Sequence, residues 1–265
     1  MVMETVMPVG GESKRMAKIV SRLQRLFVSD ALNEGAEITL QAEQSHYVAN
    51  VIRLGLGDSL LLFNGRQGEW LAHRSEGHKR EVRVTCERLT RSQPLGGHLH
   101  YAFAPLKHAR LDYMVQKAVE MGAARLTPVL TRFTQVHRIN VERMHANAVE
   151  AAEQCGILAL PHIDEPEPLE RWLARFAPER VLVFCDEEAQ VANPLAALQA
   201  GAAGPVTVLI GPEGGFAPEE RDMLRARPGV IVLSLGPRVL RADTAAVAAL
   251  ALVQACRGDL RPPQP

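Results

Sequence analysis

The sequence predicts an α/β protein: a parallel sheet covered by helices on both faces, preceded by a small β-rich unit. Three observations predict it. From His98 onward, short apolar runs alternate with amphipathic helical stretches. Those runs are unbroken, as at residues 181–184 and 206–210, which suits strands buried on both sides. Before them, residues 24–92 hold five short apolar stretches separated by turn residues, the pattern of a small barrel.

Composition sets the bounds. The chain has 265 residues, 47% hydrophobic and 23% charged, enough to bury a substantial core without staples. Cys86, Cys155, Cys185 and Cys256 lie far apart with no C-x-x-C pair. That argues against a zinc site or a disulfide framework and fits a reducing compartment. No apolar run approaches the roughly 18 residues that span a bilayer, and residues 1–11 lack the apolar centre of a signal peptide. A cytoplasmic protein with no membrane partner and no metal is expected. The formal net charge is zero, which argues against a generic polyanion binder. Residues 1–92 nevertheless carry 13 Lys and Arg against 11 Asp and Glu. Lys14, Arg15, Lys18, Arg22 and Arg25 fall in one acid-free stretch that suits phosphates or a solvated tail.

In chain order, residues 1–21 read as a disordered extension and residues 22–92 as the barrel. Strands are expected at 26–28, 38–40, 60–63, 70–72 and 82–86, with Asn64-Gly65 as a hairpin signal. A helix at 44–53 would put Tyr47, Val48, Val51 and Ile52 on one face. The stretch SQPLGG at 92–97 has linker composition. The α/β domain then runs over 98–260. Strand 101–104 precedes a helix at 109–121, whose Leu111, Met114, Val115, Ala118 and Val119 form one apolar face before Gly122 ends it. Strand 126–130 follows. Asn140 caps a helix that runs to Cys155 and stops at Gly156. A Pro-rich turn at 161–168 leads to a short helix at 169–176, strand 181–184, a helix at 195–200 and strand 206–210. Pro218 suits N1 of a helix to Ala226, with Glu219 and Glu220 favouring its dipole. Strand 230–235 comes last. The helix at 245–256, capped by Asp243 or Thr244, is apolar nearly all round and belongs in a core or a dimer interface.

The chemistry concentrates in residues 206–244. Two strands there, expected to be adjacent in the parallel sheet, end in Gly-Pro, at Gly211-Pro212 and Gly236-Pro237, and ligands of such sheets bind beyond the carboxyl ends of strands. Gly211, Gly214 and Gly215 let backbone approach a flat, nucleoside-like ligand. The spacing matches neither G-x-G-x-x-G nor the P-loop. Arg238, Arg241 and Asp243 follow the second turn; Arg241 suits phosphate or a developing negative charge, or merely a surface pair. Glu213 is a base, a ligand contact or a turn acid. Cys155, at a helix C-terminus, suits packing better than nucleophilic attack. His98 and His100 read as two solvated imidazoles at a strand edge rather than chelators.

Five motifs resemble one family. L-I-G-P-E-G-G-F at 209–216, L-G-P-R-V-L-R at 235–241, Q-K-A-V-E-M-G at 116–122, E-Q-C-G at 153–156 and R-L-F-V at 25–28 are similar to the ribosomal RNA small subunit methyltransferase E family of the SPOUT superfamily. The likeness runs from about Arg22 to Asp259. It implies a SPOUT trefoil-knot methyltransferase domain, an N-terminal PUA-like RNA-binding barrel and a homodimer. It also implies transfer of methyl from S-adenosylmethionine (SAM) to N3 of a specific uridine in 16S ribosomal RNA of the small subunit. By that resemblance Leu209, Gly211, Glu213, Gly214, Gly215, Leu235, Gly236, Pro237 and Leu240 look like SAM-pocket residues. Arg241 looks like the catalytic-loop arginine, and Arg22, Arg25, His46 and Arg53 look like RNA-facing residues. By the same resemblance Arg241 and Asp243 are expected to face the uridine, and the proton acceptor is open among Glu213, Asp243 and water. Three positions depart from the pattern: Ile157 stands where arginine is common, Asp243 where glutamate is, and His108 where glycine is frequent. Alternatives are another RNA target for the same fold and an assembly factor that has lost catalysis.

Overall fold

A computed structural model describes residues 23–78, 81–189 and 193–260. The expected extension at 1–21, and Arg22, lie outside them. The chain forms two compact units that divide between Pro94 and Leu95.

The first unit is a five-stranded sheet in the order β1-β3-β4-β5-β2. These are β1 (Arg25–Phe27), β2 (Glu37–Thr39), β3 (Ser59–Phe63), β4 (Glu69–His78) and β5 (Glu81–Arg91). β1 runs parallel to β3, and the other pairs are antiparallel. Alternate residues such as Val82, Val84 and Cys86 turn inward with Leu60 and Leu62 to make the core. The β3–β4 loop is longer than a two-residue hairpin. Asn64 Oδ1 accepts the backbone N–H groups of Arg66 and Gln67, and its Nδ2 donates to the Asp30 carbonyl. Glu69 is buried at the start of β4, with Arg25 Nε at 3.0 Å and Arg91 Nη2 at 2.6 Å. Burial alone would raise its carboxyl; the hydrogen bonds from Arg91, Thr90 and Arg25 outweigh it and hold the group below the usual range.

The helix expected at 44–53 is different in kind. It begins as α1 (Ala42–His46) and widens into a π-turn over Tyr47–Val51, where the Ile52 N–H bonds the Tyr47 carbonyl five residues back. The wider turn rotates the following residues off the expected face. Val48 stays buried and Ala49 packs on the core, while Val51 turns out to solvent at 59% exposure.

The second unit is an all-parallel sheet of seven strands in the order β12-β10-β11-β6-β7-β8, with β9 pairing β7. Its strands are β6 (His100–Phe103), β7 (Arg125–Leu130), β8 (His162–Ile163), β9 (Glu167–Pro168), β10 (Val181–Cys185), β11 (Val206–Ile210) and β12 (Ile231–Leu233). β8 and β9 lie inside the Pro-rich stretch read as a plain turn; each is too short to leave a pattern. The helices are α2 (His108–Glu120), α3 (Val141–Cys155), α4 (Leu169–Ala174), α5 (Pro194–Ala200), α6 (Pro218–Arg225) and α7 (Ala242–Arg257).

Period-two alternation in the strands builds both faces. Tyr101, Phe103, Val208 and Ile210 point toward α2, α3, α5 and α7. Ala102, Leu209, Leu182 and Phe184 point the other way, toward α4 and α6. Asn140 caps α3 by accepting the Arg143 N–H at 2.9 Å, as expected. α7 begins earlier than expected, with Arg241 at its N-cap and Asp243 inside its first turn. Its small residues Ala242, Ala246 and Ala249 bury it against α2 and α5. Gln254 Nε2 ties its far end to the Met121 carbonyl at 2.7 Å. Among the described residues no helix is long and apolar enough to cross a membrane.

Three expectations need correction. The two Gly-Pro turns do not follow neighbouring strands, because β10 lies between β11 and β12. Cys155 does not pack; it is exposed, lying off the buried face of α3 that Met144, Ala148, Ala151 and Ala152 form. His100 is not a solvated edge imidazole. β6 is interior, between β11 and β7, so His100 is half-buried, flanked by Thr207 and Arg125 in register. Burial, with Arg180 and Arg125 nearby, lowers the ring to about 4 despite the opposing Asp164.

The His100 shift fixes a pH dependence. An unfolded ring takes up its proton near pH 6.5, and the folded one only near 4. The folded state therefore keeps this contribution in full above pH 6.5 and loses it as pH falls from 6.5 to 4. A loss on the order of 2 kcal/mol is expected, discounted because the ring is only half removed from water. Urea unfolding at pH 7 and pH 4.5 should show this slope in the wild type and a shallower one in His100→Asn.

Candidate functional site

A cavity of about 640 Å³ opens at the carboxyl ends of three parallel strands. This is the size and the place expected for a small-molecule site on such a sheet. One wall is the loop after β11, through Gly211, Pro212, Glu213, Gly215 and Phe216. The second is the loop after β12, from Ser234 to Leu240. The third is the end of β10 with the segment after it, contributing Cys185, Asp186, Glu187 and Ala189. Ala242 and Ala245, in the first turns of α7, complete the lining.

The residues singled out in the sequence fall in four groups. Gly211, Glu213, Gly215, Leu235, Gly236, Pro237 and Leu240 line the cavity together. Leu209 is fully buried beneath them, in the core cluster with Phe216, and Gly214 turns toward Phe133, whose Cβ lies 3.3 Å from where a side chain would begin. Arg241 and Asp243, at the start of α7, flank the lining residue Ala242 but do not line the cavity themselves. In the first unit, Arg25 is only 18% exposed and its Nε is engaged by Glu69. His46 is exposed, its ring 3.1 Å from Asn50 Nδ2, and Arg53 is exposed with a left-handed φ of 54°.

The glycines are needed for more than one reason. A Cβ on Gly211 would lie 2.4 Å from the Phe216 ring, so this glycine admits the aromatic side chain that anchors the loop. Phe216 in turn packs edge-on against Phe184 of β10, centroids 5.0 Å apart. Gly236 is the opposite case. Its φ of +102° demands glycine, yet a Cβ there would meet no protein atom within 4 Å. The chain leaves bare backbone facing open cavity at that point, a cradle that a flat ligand can fill, and the residues present fit a nucleoside-bearing cofactor such as SAM.

The charges around the rim are organised. Glu213, 45% exposed, forms an ion pair with Arg110 of α2. Asp243 accepts the Thr244 N–H at 2.9 Å through Oδ1. Arg238 is exposed on the second wall. Asp186 is 1% exposed and held by Arg225 Nη2 at 2.5 Å and Arg221 Nε at 3.4 Å. Burial raises the Cys185 thiol to about 12, with Asp186 adding to it, so that sulfur is a neutral part of the floor. Among the described residues no group of three or more His, Cys, Asp or Glu is arranged to hold a metal.

Sequence reasoning missed the third wall. Asp186-Glu187-Glu188 directly follows an apolar strand, the same position that marked the other two loops. It lacks their glycines, so motif spacing alone did not flag it.

The RNA methyltransferase domain family model matches residues 92–254, and the RNA methyltransferase PUA domain model matches residues 40–85. The chain is 29% identical over 235 residues to ribosomal RNA small subunit methyltransferase E of Rickettsia conorii, covering 88% of this chain and 96% of that one. A methyltransferase structure from Legionella pneumophila, in complex with its bound cofactor SAM, superposes with a TM-score of 0.76 at 30% identity, covering 88% of this chain and 98% of that one. Ribosomal RNA small subunit methyltransferase E of Neisseria gonorrhoeae, bound to SAM, superposes at 0.77 with 22% identity over 88% and 98%, a likeness of fold. The α/β methyltransferase domain with an N-terminal PUA-like unit is thus the one expected from the sequence.

The Gly211–Phe216 contact sets a test. Gly211→Ala should push the Phe216 ring out of its place against Phe184, an overpacking cost of about 1–3 kcal/mol. Thermal unfolding followed by calorimetry should register it as a lowered transition.

Proposed function

The chain belongs to the RNA methyltransferase family, and from that premise we propose that it is a SAM-dependent enzyme methylating N3 of a specific uridine in 16S ribosomal RNA. One observation carries the reading: a cavity walled by three strand-end loops, with bare backbone at Gly236 and with Arg241 in the chain between its lining residues Leu240 and Ala242. We assign residues 98–260 to the methyltransferase domain and residues 22–92, with Arg22, Arg25, His46 and Arg53, to RNA binding. We further infer a homodimer in the cytoplasm. Val239, 85% exposed beside the cavity, suits a surface covered by a second copy.

SAM bound in the cavity supplies an activated methyl group on a sulfonium. The protein's share is alignment and charge. The two Gly-Pro walls fix a nucleoside between them, which brings donor and acceptor into line. Uracil N3 carries a proton and pairs in duplexes, so the base enters unpaired or flipped out. Loss of that proton spreads negative charge onto the carbonyl oxygens. The Arg241 carbonyl accepts the Ala245 N–H, while its guanidinium has no hydrogen-bond or ion-pair partner among the described residues; at the start of α7 it is suited to stabilise that charge. Of the two carboxylates, Glu213 is committed to Arg110, while Asp243 Oδ2 has no hydrogen-bond partner among the described residues. We therefore assign proton removal to Asp243, directly or through water.

Two measurements decide. Calorimetry should detect SAM binding to the wild type; absence of heat at millimolar SAM would end the proposal. Arg241→Ala should cut the methylation rate about 10²–10³-fold with SAM affinity unchanged, read as 3-methyluridine by nucleoside mass analysis of small-subunit RNA. An unchanged rate removes Arg241 from the chemistry, and a wild type that binds RNA but never methylates it makes the protein an assembly factor.

A further inference from the structure

Around its third wall the cavity carries more carboxylate than the neighbouring arginines neutralise. Asp186, Glu187 and Glu213 all line it. Glu213 is answered by Arg110, and Asp186 by Arg225 with Arg221 behind it. Glu187 is left over. Its nearest cation, Arg221 Nη2, is 3.7 Å away, beyond a hydrogen bond. That guanidinium is already shared, with Nη1 on Glu188 at 2.5 Å and Nε toward Asp186. Two arginines thus face three consecutive carboxylates, and the uncompensated one is half-exposed on the cavity wall. Its Oε1 lies 2.8 Å from where a Gly215 side chain would start, so it rests against the glycine turn of the first wall.

We propose that Glu187 is the recognition residue for the α-ammonium group of the cofactor's amino-acid part. The proposal rests on reading the cavity as a SAM site. SAM carries two cationic centres, a sulfonium and an ammonium, and only the ammonium has N–H groups to donate. A carboxylate accepting charge-assisted hydrogen bonds discriminates between them. The third wall then gives the site a function the two glycine loops lack: it selects a ligand with an amino-acid tail over a bare nucleoside.

Three ligands and three proteins test this. Dissociation constants for SAM, S-adenosylhomocysteine and 5′-methylthioadenosine are measured by calorimetry on the full chain, as wild type, Glu187→Gln and Glu188→Gln. The first two ligands carry the ammonium. The third keeps adenine, ribose and a thioether but has no amino-acid part. Glu187→Gln should weaken SAM and S-adenosylhomocysteine about ten-fold and leave methylthioadenosine within about two-fold. Glu188→Gln, whose carboxylate does not line the cavity, should change none of the three by more than about two-fold. Equal weakening of all three means Glu187 holds the ribose or the wall itself and overturns the proposal. Loss confined to SAM assigns it to the sulfonium and overturns it too, as does no loss at all. A wild type that binds none of the ligands refutes the SAM reading rather than the role of Glu187.

Discussion

Strand β12 pairs with β10, in register from Val183–Ile231 to Cys185–Leu233, and the cavity follows from that pairing. Had β12 extended the sheet beyond β8, its Gly-Pro turn would stand far from the turn after β11. Paired where it is, it leaves β10 as the middle of three strands whose carboxyl ends open on one space. The two glycine loops become facing walls, and the Asp186-Glu187 segment becomes the surface between them. α7 closes the arrangement, since its small residues let it lie against the sheet while its first turn reaches the rim.

Buried charge is handled the same way in both units. Glu69 is answered by Arg25 and Arg91, and Asp164 by Arg125 Nη2 at 2.6 Å and Thr127 Oγ1. Each acid is removed from water only with its full complement of donors, the condition under which a buried carboxylate is tolerated. Departures from that habit are informative. Arg180 is partly buried yet among the described residues bonds neutral acceptors alone, the Thr207 hydroxyl and the Val206 and His98 carbonyls, and burial brings it down to about 10. Glu187 is the acidic counterpart, half-exposed rather than buried, and it occurs on the cavity wall.

Elements with a period of their own were legible in the sequence. The α2 face, the caps at Asn140 and Pro218 and the unbroken strands all rest on contacts within a few residues, which spacing reports directly. What was illegible was non-local. Nothing near residues 181–185 says that this strand will lie between two later ones, so the third wall was overlooked and His100 was read as an edge residue. The π-turn escaped for a different reason. Its composition suits an ordinary helix, and only the shifted hydrogen bond at Ile52 moves Val51 outward. Within the candidate site the glycines were visible, but their reasons were not: Gly211 serves Phe216, whereas Gly236 faces open space.

The position of β10 also orders events in time. As the chain leaves the ribosome, β10 emerges before either of its sheet neighbours exists, because β11 and β12 both come after it. The first unit, with its largely hairpin-connected strands, can complete itself early. The cavity cannot, since its second wall and the α7 rim are the last regular elements made. Its pairings join segments distant along the chain and carry the loop-closure cost that slows parallel sheets. Competence to hold a cofactor therefore arrives at the end of synthesis, and a chain that stalls before residue 231 has every strand of the sheet except the one that makes it a receptor.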